Sequence, residues 1–193
     1  MLQKASIYIS SIVAAFLLLS SIPSQAQESD KGWAVGANFH NISSFRNYNG
    51  INLTLERDLN DRFSTTVSSS YYFKIDVKET GFGYTDVYDK SGAYLGVFLK
   101  SHLFSFKFCD FYGKAGLSHF LTNLEGTFTF RNDAPPYDVR VTEYDRTEIR
   151  IGPDFGFGFE VEYKVILTAE ASIVPFSKNG GYFHFSTGLK VPF

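Results

Sequence analysis

The 193-residue sequence is poor in the residues that mark many functional classes. Its single cysteine, Cys109, excludes an intramolecular disulfide bond. The four histidines lie on separate segments without the spacing of a metal site, so we predict neither a bound metal nor a cofactor. Eighteen basic and twenty acidic residues give a net charge of −2 without a basic cluster, which argues against nucleic-acid binding. A mean hydropathy of −0.08 argues against a bundle of membrane-spanning helices.

The first 26 residues have the order of a secretory signal peptide. Lys4 supplies a basic start, residues 12–19 form an unbroken apolar core, and Ala26 ends a small-residue cleavage site. The core is too short for a membrane-spanning helix, which needs about 20 apolar residues. We predict a cleaved signal peptide over residues 1–26 and a single domain over residues 27–193, with a retained membrane anchor as the alternative.

Aromatic residues, by contrast, are abundant, with 21 phenylalanines and 12 tyrosines. Residues 182–193 show how they are distributed, because apolar and polar side chains alternate there strictly. A period of two places alternate residues on opposite faces of a β-strand. One face carries Phe183, Phe185, Thr187, Leu189, Val191 and Phe193, and the other carries His184, Ser186, Gly188 and Lys190.

Seven further segments between residues 33 and 173 alternate in the same way, with turn-forming residues between them. Apolar side chains that face lipid and polar side chains that face a lumen are typical of membrane barrels. We therefore predict an all-β fold, an eight-stranded antiparallel up-and-down transmembrane β-barrel preceded by a cleaved signal peptide. An even strand number allows such a barrel to close. The alternative is a soluble barrel with an apolar cavity, whose charged faces would point outward.

The connections between these segments alternate in length. Residues 57–62, 102–107 and 162–164 form short turns, whereas the segments around residues 41–49, 77–91, 123–145 and 175–181 are mostly longer. Short periplasmic turns and long outer loops are usual in outer-membrane barrels, which predicts that both termini are periplasmic. The segment 123–145 contains two strand-like runs, so we expect the fifth and sixth strands to continue past the membrane as a protruding hairpin.

Together, the signal, the eight strands and the terminal Phe193 resemble the OmpA/OmpX-like small outer-membrane barrels, especially the outer-membrane β-barrel domain proteins of the Bacteroidetes type. The resemblance covers essentially all of the mature chain. It implies a monomer in the bacterial outer membrane, in contact with outer-membrane lipids and lipopolysaccharide. It also implies insertion by the barrel assembly machinery with periplasmic chaperones, and it makes Phe193 the assembly signal.

The inward faces of the strands carry charges of both signs. An unpaired buried charge costs several kcal/mol, so we expect these groups to pair. An eight-stranded barrel is about wide enough for its own side chains, which favours a packed polar lumen over the alternative, a narrow channel for small solutes. The predicted lumen network comprises Glu56, Lys74, Lys114, Glu148, Arg150, Asp154, Glu160, Glu170 and Lys190, with Asp76 and Lys100 on the same face.

Two further functions arise from local patterns. His184 and Ser186 share one strand face and are similar to the histidine and serine of some lipid A deacylases, which makes a lipid-modifying enzyme an alternative. Both side chains take the inward parity, away from a lipid substrate, so we predict no catalytic residue and no enzyme.

We predict a structural or surface-interaction role through the long outer loops. In residues 123–145, an extracellular protein partner would add a strand to an exposed edge. The candidate anchors are Phe128, Phe130, Tyr137 and Tyr144. The alternative is a hairpin that only shields the mouth of the barrel.

Overall fold

The computed structural model describes residues 32–43, 47–132, 138–162, 165–175 and 181–193. The signal peptide predicted over residues 1–26 lies outside these ranges. Within them, the structure contains no helix with the length and hydropathy needed to cross a membrane.

Eight antiparallel strands form one closed barrel in which each strand pairs with its neighbours in the sequence. This architecture confirms the predicted fold. The strands are β1 (Trp33–Ser43), β2 (Tyr48–Asn60), β3 (Phe63–Gly81), β4 (Tyr84–Phe106), β5 (Cys109–Asn132), β6 (Asp138–Glu162), β7 (Ile166–Val174) and β8 (Tyr182–Pro192).

The barrel closes between its first and last strands. β1 and β8 pair from Ala34 opposite Pro192 to Ser43 opposite Phe183. Beyond them, the Trp33 N–H donates to the Phe193 carbonyl (3.2 Å) and the Phe193 N–H donates to the Trp33 carbonyl (2.7 Å). The final residue therefore takes part in the closing ladder, which leaves no unpaired β1 or β8 edge at that end of the barrel.

The two faces of the wall differ in polarity as the period of two predicts. Large apolar side chains such as Leu53 (59% exposed) and Phe157 (69% exposed) point outward, whereas charged groups such as Lys100 and Asp154 are buried inside. A soluble protein rarely exposes so much contiguous apolar surface. This distribution contradicts the soluble-barrel alternative, because the charged faces line the interior.

The strands on the two sides of the barrel differ greatly in length. β7 has 9 residues and β8 has 11, which is about what a tilted strand needs to cross a membrane. β6 has 25 residues, roughly 85 Å at about 3.4 Å per residue. Strands β3 to β6 therefore continue well beyond the membrane as a four-stranded sheet. We call this sheet, residues 73–91 and 123–147, the flap.

The flap confirms the protruding hairpin expected between the fifth and sixth strands, and two segments predicted as connections are largely strand. Residues 77–91 are not a long loop, because β3 and β4 continue through them to a tight turn at Phe82 and Gly83. Gly83 has φ of +76°, a conformation that suits glycine. Residues 102–107 likewise belong mostly to β4, which ends at Phe106.

Candidate functional site

The lower lumen holds a cluster of four paired charges, which we call the lysine–glutamate cluster: Glu56, Lys100, Glu160 and Lys190. Lys100 Nζ lies 3.1 Å from a Glu56 oxygen and 2.5 Å from a Glu160 oxygen. Lys190 Nζ contacts the same two carboxylates at 3.2 and 2.7 Å. All four side chains are less than 10% exposed. The alternation of charge around this ring offsets the cost of burying each group.

A second charged group lies next to this cluster. Lys114 donates to Glu170, and the Tyr112 hydroxyl donates to the other Glu170 oxygen at 3.2 Å. The Lys114 ammonium also lies 4.1 Å from the centre of the Phe98 ring. Tyr112 fits because Gly158 faces it, and a Cβ at Gly158 would come within 2.5 Å of the Tyr112 hydroxyl. Gly158 on the inward face therefore makes room for a bulky lumen side chain.

The upper lumen holds a second cluster, the histidine cluster, formed by His40, Tyr72, Tyr94, Asp154 and His184. His184 Nδ1 lies 3.2 Å from His40 Nε2, and the Tyr72 hydroxyl lies 3.0 Å from His40 Nδ1. The Tyr94 hydroxyl donates to Asp154 Oδ2 at 2.8 Å.

One set of tautomers gives a continuous run of hydrogen bonds through both histidines. With Tyr72 donating to His40 Nδ1, His40 Nε2 donates to His184 Nδ1, and His184 Nε2–H then faces Asp154 Oδ2 at 3.9 Å, beyond hydrogen-bond distance. The opposite tautomer would place a His184 lone pair against the carboxylate. Hydrogen bonds therefore join strands β3, β1 and β8 through Tyr72, His40 and His184, and Asp154 on β6 lies next to them.

Between the two clusters lies a cavity of about 40 Å³, lined in part by Asn38, Asn52, Glu56, Phe98 and Lys100. A volume of this size holds water and little else. Aromatic side chains fill the lumen above it, where Tyr72, Phe120 and Tyr182 are at most 2% exposed.

The residues predicted for the lumen that do lie there separate into four groups. Glu56, Glu160 and Lys190 meet in the lysine–glutamate cluster, whereas Lys114 and Glu170 pair beside it. Asp154 belongs to the histidine cluster. Glu148 and Arg150 pair with each other at 2.8 Å near the rim, with both side chains 28% exposed.

Lys74 does not join the lumen network. The register shifts between Tyr72 and Ile75, and this bulge turns Lys74 and Asp76 to the outer face. There Lys74 pairs with Asp89 at 2.5 Å, and the two side chains are 59% and 36% exposed. The inward placement predicted for Lys74 and Asp76 is wrong, because an extra residue in one strand reverses the alternation that follows.

The histidine and serine of the enzyme alternative are not arranged for catalysis on a membrane lipid. His184 is buried in the lumen, and its contacts are His40 and Asp154. Ser186 lines the internal cavity on the same strand face. The two side chains therefore point away from the lipid-facing surface.

Sequence reasoning missed one grouping with metal-ligand atoms. Ligand atoms of Glu56, Asp58 and His102 all lie within 4.8 Å of one another. The sequence gives no signal for this, because β2 and β4 meet only across the barrel. Glu56 already accepts hydrogen bonds from Lys100 and Lys190, whose positive charges disfavour a cation at the same oxygens.

The flap face that continues the lumen wall is aromatic. Tyr84 and Phe128 stack at 5.7 Å between ring centres, and Phe130 is 44% exposed. The Tyr144 hydroxyl donates to Asp86 at 2.8 Å. Of the four predicted anchors, Phe128 and Tyr144 therefore contact other flap residues, Phe130 is open, and Tyr137 lies outside the described residues.

The opposite, outer face of the flap carries a row of carboxylates. Asp76, Asp89, Glu125 and Asp145 are direct partners across the four strands. Hydrogen bonding to Asp89 raises the pKa of the Asp76 carboxyl. The Lys74 ammonium holds the pKa of Asp89 below its usual range, and Asp89 in turn raises the pKa of Lys74. These shifts arise from direct contacts, since the groups are exposed.

The flap has two lateral edges. β2 pairs with β3 only as far as Tyr72, and β7 pairs with β6 only from Phe155 onward. Among the described residues, no strand pairs with residues 73–81 of β3 or with residues 138–153 of β6 on these sides. Lysines and a bulge interrupt the β3 edge, which are features that block strand addition. We call residues 138–153 the β6 edge.

The family of this chain follows from its sequence as well as its fold. A family model described as the outer membrane protein beta-barrel domain matches residues 12–193. The chain belongs to this family. Its place in the bacterial outer membrane follows from that membership. No curated protein sequence matches the chain.

Solved structures of small outer-membrane barrels share the fold. The outer membrane protein OprG of Pseudomonas aeruginosa matches with a TM-score of 0.61 at 9% identity, over 84% of this chain and 96% of that one. The attachment invasion locus protein Ail of Yersinia pestis matches with a TM-score of 0.50 at 12% identity, over 83% and 97%. The N-terminal barrel domain of OprF of Pseudomonas aeruginosa matches with a TM-score of 0.50 at 12% identity, over 82% and 97%. None of these names denotes an enzyme.

Proposed function

We propose that this outer-membrane barrel is a surface-interaction protein whose flap binds an extracellular protein partner. The observation that carries the proposal is the β6 edge. Val139 and Val141 on it are 61% and 62% exposed, and no described strand pairs with it. An extended segment of the partner would add to this edge through backbone hydrogen bonds, and Phe130 would supply a side-chain anchor.

The proposal includes an orientation and an environment. Both termini lie in the periplasm and the flap lies outside the cell, because the short turns and the termini share one end of the barrel. The barrel is a monomer within its membrane, surrounded by outer-membrane lipids and lipopolysaccharide. The barrel assembly machinery and periplasmic chaperones deliver it there.

Phe193 is the proposed assembly signal, since its backbone completes the closing ladder with Trp33. Deletion of Phe193 should lower the amount of folded barrel in the outer membrane, measured by the heat-modifiable band of membrane fractions. Tyr182→Phe, which changes the same strand without altering its end, is the control. Normal surface levels after the deletion would refute this role.

The lumen supports a structural role over the alternatives. Its charges pair with one another, and the cavity between the two clusters is of water size, which disfavours a channel for solutes. His184 and Ser186 face this interior, which disfavours a lipid-modifying enzyme.

A flap-shortened variant tests the proposal. Residues 126–143 are replaced with a short Gly-Ser turn, which removes residues 138–143 of the β6 edge and with them Val139 and Val141. The matched control replaces residues 77–88, which shortens the β3–β4 hairpin and retains β6. Heat modifiability verifies the fold of both. We expect cells that carry the first variant to lose surface binding and cells that carry the control to retain it. A folded first variant that binds as well as the natural chain would contradict the proposal.

A further inference from the structure

We propose that the β6 edge pairs antiparallel with the β6 edge of a second copy of this chain, held in a facing membrane. This inference rests on the proposed function, since it names the partner of the edge. The sequence of the edge is self-complementary about Tyr144. A two-fold axis at that residue places most of the charged and aliphatic side chains of the edge opposite a suitable one from the other copy.

In an antiparallel pair, directly opposed residues lie on the same face of the sheet. A two-fold axis at Tyr144 opposes residues at equal distances on its two sides. Opposite charges then meet at two levels, Asp138 with Arg150 and Arg140 with Glu148. The aliphatic or β-branched pairs are Val139 with Ile149 and Val141 with Thr147. By symmetry, each of these contacts forms twice.

Neighbouring registers lack this match. A two-fold axis at residue 143 opposes Arg140 with Arg146 and Asp138 with Glu148, and an axis at residue 145 opposes Arg140 with Arg150. Like charges directly opposite each other destabilise a sheet. The charge pattern therefore disfavours both neighbouring registers.

The charged side chains that would meet are accessible, and each already pairs with a neighbour on the same face of its own strand. Asp138 and Arg140 pair at 2.8 Å with 46% and 77% of their side chains exposed. Glu148 and Arg150 form the equivalent pair at 2.8 Å near the rim. Bringing the two pairs together across the axis produces an alternating set of four charges on the face that continues the lumen wall.

Symmetry determines where the second copy lies. An axis perpendicular to the sheet reverses the strand direction and with it the barrel axis. Two copies in one membrane share the same orientation, so they cannot pair in this way. The second copy must come from an opposing membrane, which makes the contact a bridge between two cells. β7 ends at Val174, opposite the lower end of the β6 edge, and no described strand lies beside the edge above that level.

One contact is unfavourable, because Glu143 opposes Asp145 on the outer face. A single edge-to-edge contact is also small compared with a stable interface. Adhesion therefore depends on many weak contacts between two surfaces acting together. It follows that replacing Glu143 with lysine should strengthen the bridge.

Charge exchange tests the partner. Purified chain is placed in phosphatidylcholine vesicles, and vesicle clustering is followed by light scattering. We expect natural-chain vesicles to cluster and Arg140→Glu to slow clustering by roughly tenfold or more. The double variant Arg140→Glu with Glu148→Arg should cluster with itself but not with the natural chain, and Glu143→Lys should cluster faster than the natural chain. Heat modifiability verifies the fold of each variant.

Single cysteines test the register. In a Cys109→Ser background, Tyr144→Cys lies on the axis, and antiparallel partners about 5 Å apart between Cα atoms permit a disulfide bond. We expect a covalent dimer after mild oxidation. Thr142→Cys alone should give none, whereas a mixture of Thr142→Cys and Arg146→Cys should give a heterodimer. A Thr142→Cys homodimer without a Tyr144→Cys homodimer would overturn the register.

The whole inference is overturned if natural-chain vesicles do not cluster, or if Arg140→Glu clusters as fast as the natural chain. These outcomes are distinct from failure of the proposed function. Loss of surface binding in the flap-shortened variant, together with no vesicle clustering, would retain the interaction role and remove the second copy as its partner.

Discussion

The lumen and the flap contain the same kind of ion pair in very different surroundings. Lys100 contacts Glu160 at 2.5 Å in the lumen, and Lys74 contacts Asp89 at the same distance on the flap. The lumen side chains are 4% and 9% exposed, whereas the flap side chains are 59% and 36% exposed. Solvent screens the flap pair and leaves it energetically minor, whereas burial makes each lumen partner depend on the other. The same N–O distance therefore contributes little to stability on the flap and matters much more in the lumen.

The largest effect is expected from removal of one buried charge. Lys100→Met leaves Glu56 and Glu160 with Lys190 as their remaining cation, and it should destabilise the barrel by about 3–5 kcal/mol. Urea unfolding in lipid vesicles measures this change. Lys74→Met is the matched control and should leave the unfolding midpoint almost unchanged. Equal losses in the two variants would break the distinction between lumen and flap.

A smaller effect is expected from removal of a tyrosine–aspartate hydrogen bond, which occurs once in the lumen and once on the flap. Tyr94 donates to the buried Asp154 and Tyr144 donates to Asp86 on the flap, both at 2.8 Å. Tyr94→Phe leaves a buried carboxylate oxygen without its donor and should cost about 1–3 kcal/mol. Tyr144→Phe leaves Asp86 accessible to water and should cost less. The same unfolding assay compares them, and a larger loss for Tyr144→Phe would contradict the comparison.

The smallest effect concerns pH. Lys74 is the main cause of the lowered pKa of Asp89, so Lys74→Met should raise that pKa. A lowered carboxyl pKa stabilises the fold above the unfolded value, about 3.9, and this contribution disappears as the pH falls through the folded value. The raised pKa of Asp76 acts in the opposite direction, which reduces the net pH dependence of the flap. Carboxyl NMR titration measures the shift, with Lys78→Met as control. An unchanged Asp89 titration would show that the ion pair does not persist in solution.

The period of two predicted most of the fold and half of the candidate site. It placed Glu56, Glu160 and Lys190 inside because alternation determines the face on which a side chain lies. It could not show that Lys100 meets Glu160, because the two strands carrying them, β4 and β6, face each other only after the barrel closes. It also failed for Lys74, since one bulge reverses every later residue of the strand.

The flap was only partly predictable for a related reason. The β5–β6 hairpin contains runs rich in β-branched and aromatic residues, so its strands were recognisable. Residues 77–91 contain glycine, aspartate and threonine at positions that suggest a loop, yet β5 pairs with β4 through this stretch. Pairing with a long neighbour overrides the local preference, and that neighbour lies more than thirty positions further along the sequence.

The contact between Trp33 and Phe193 has a consequence for the order of folding. The first strand pairs with the last across most of the chain, as in the hydrogen bond between His40 and His184, which are 144 positions apart. Closure of so long a loop is slow, and it cannot begin before the ribosome has completed β8. Until then β1 has no partner on one side, and its strand edge stays open to other extended segments until β8 pairs with it.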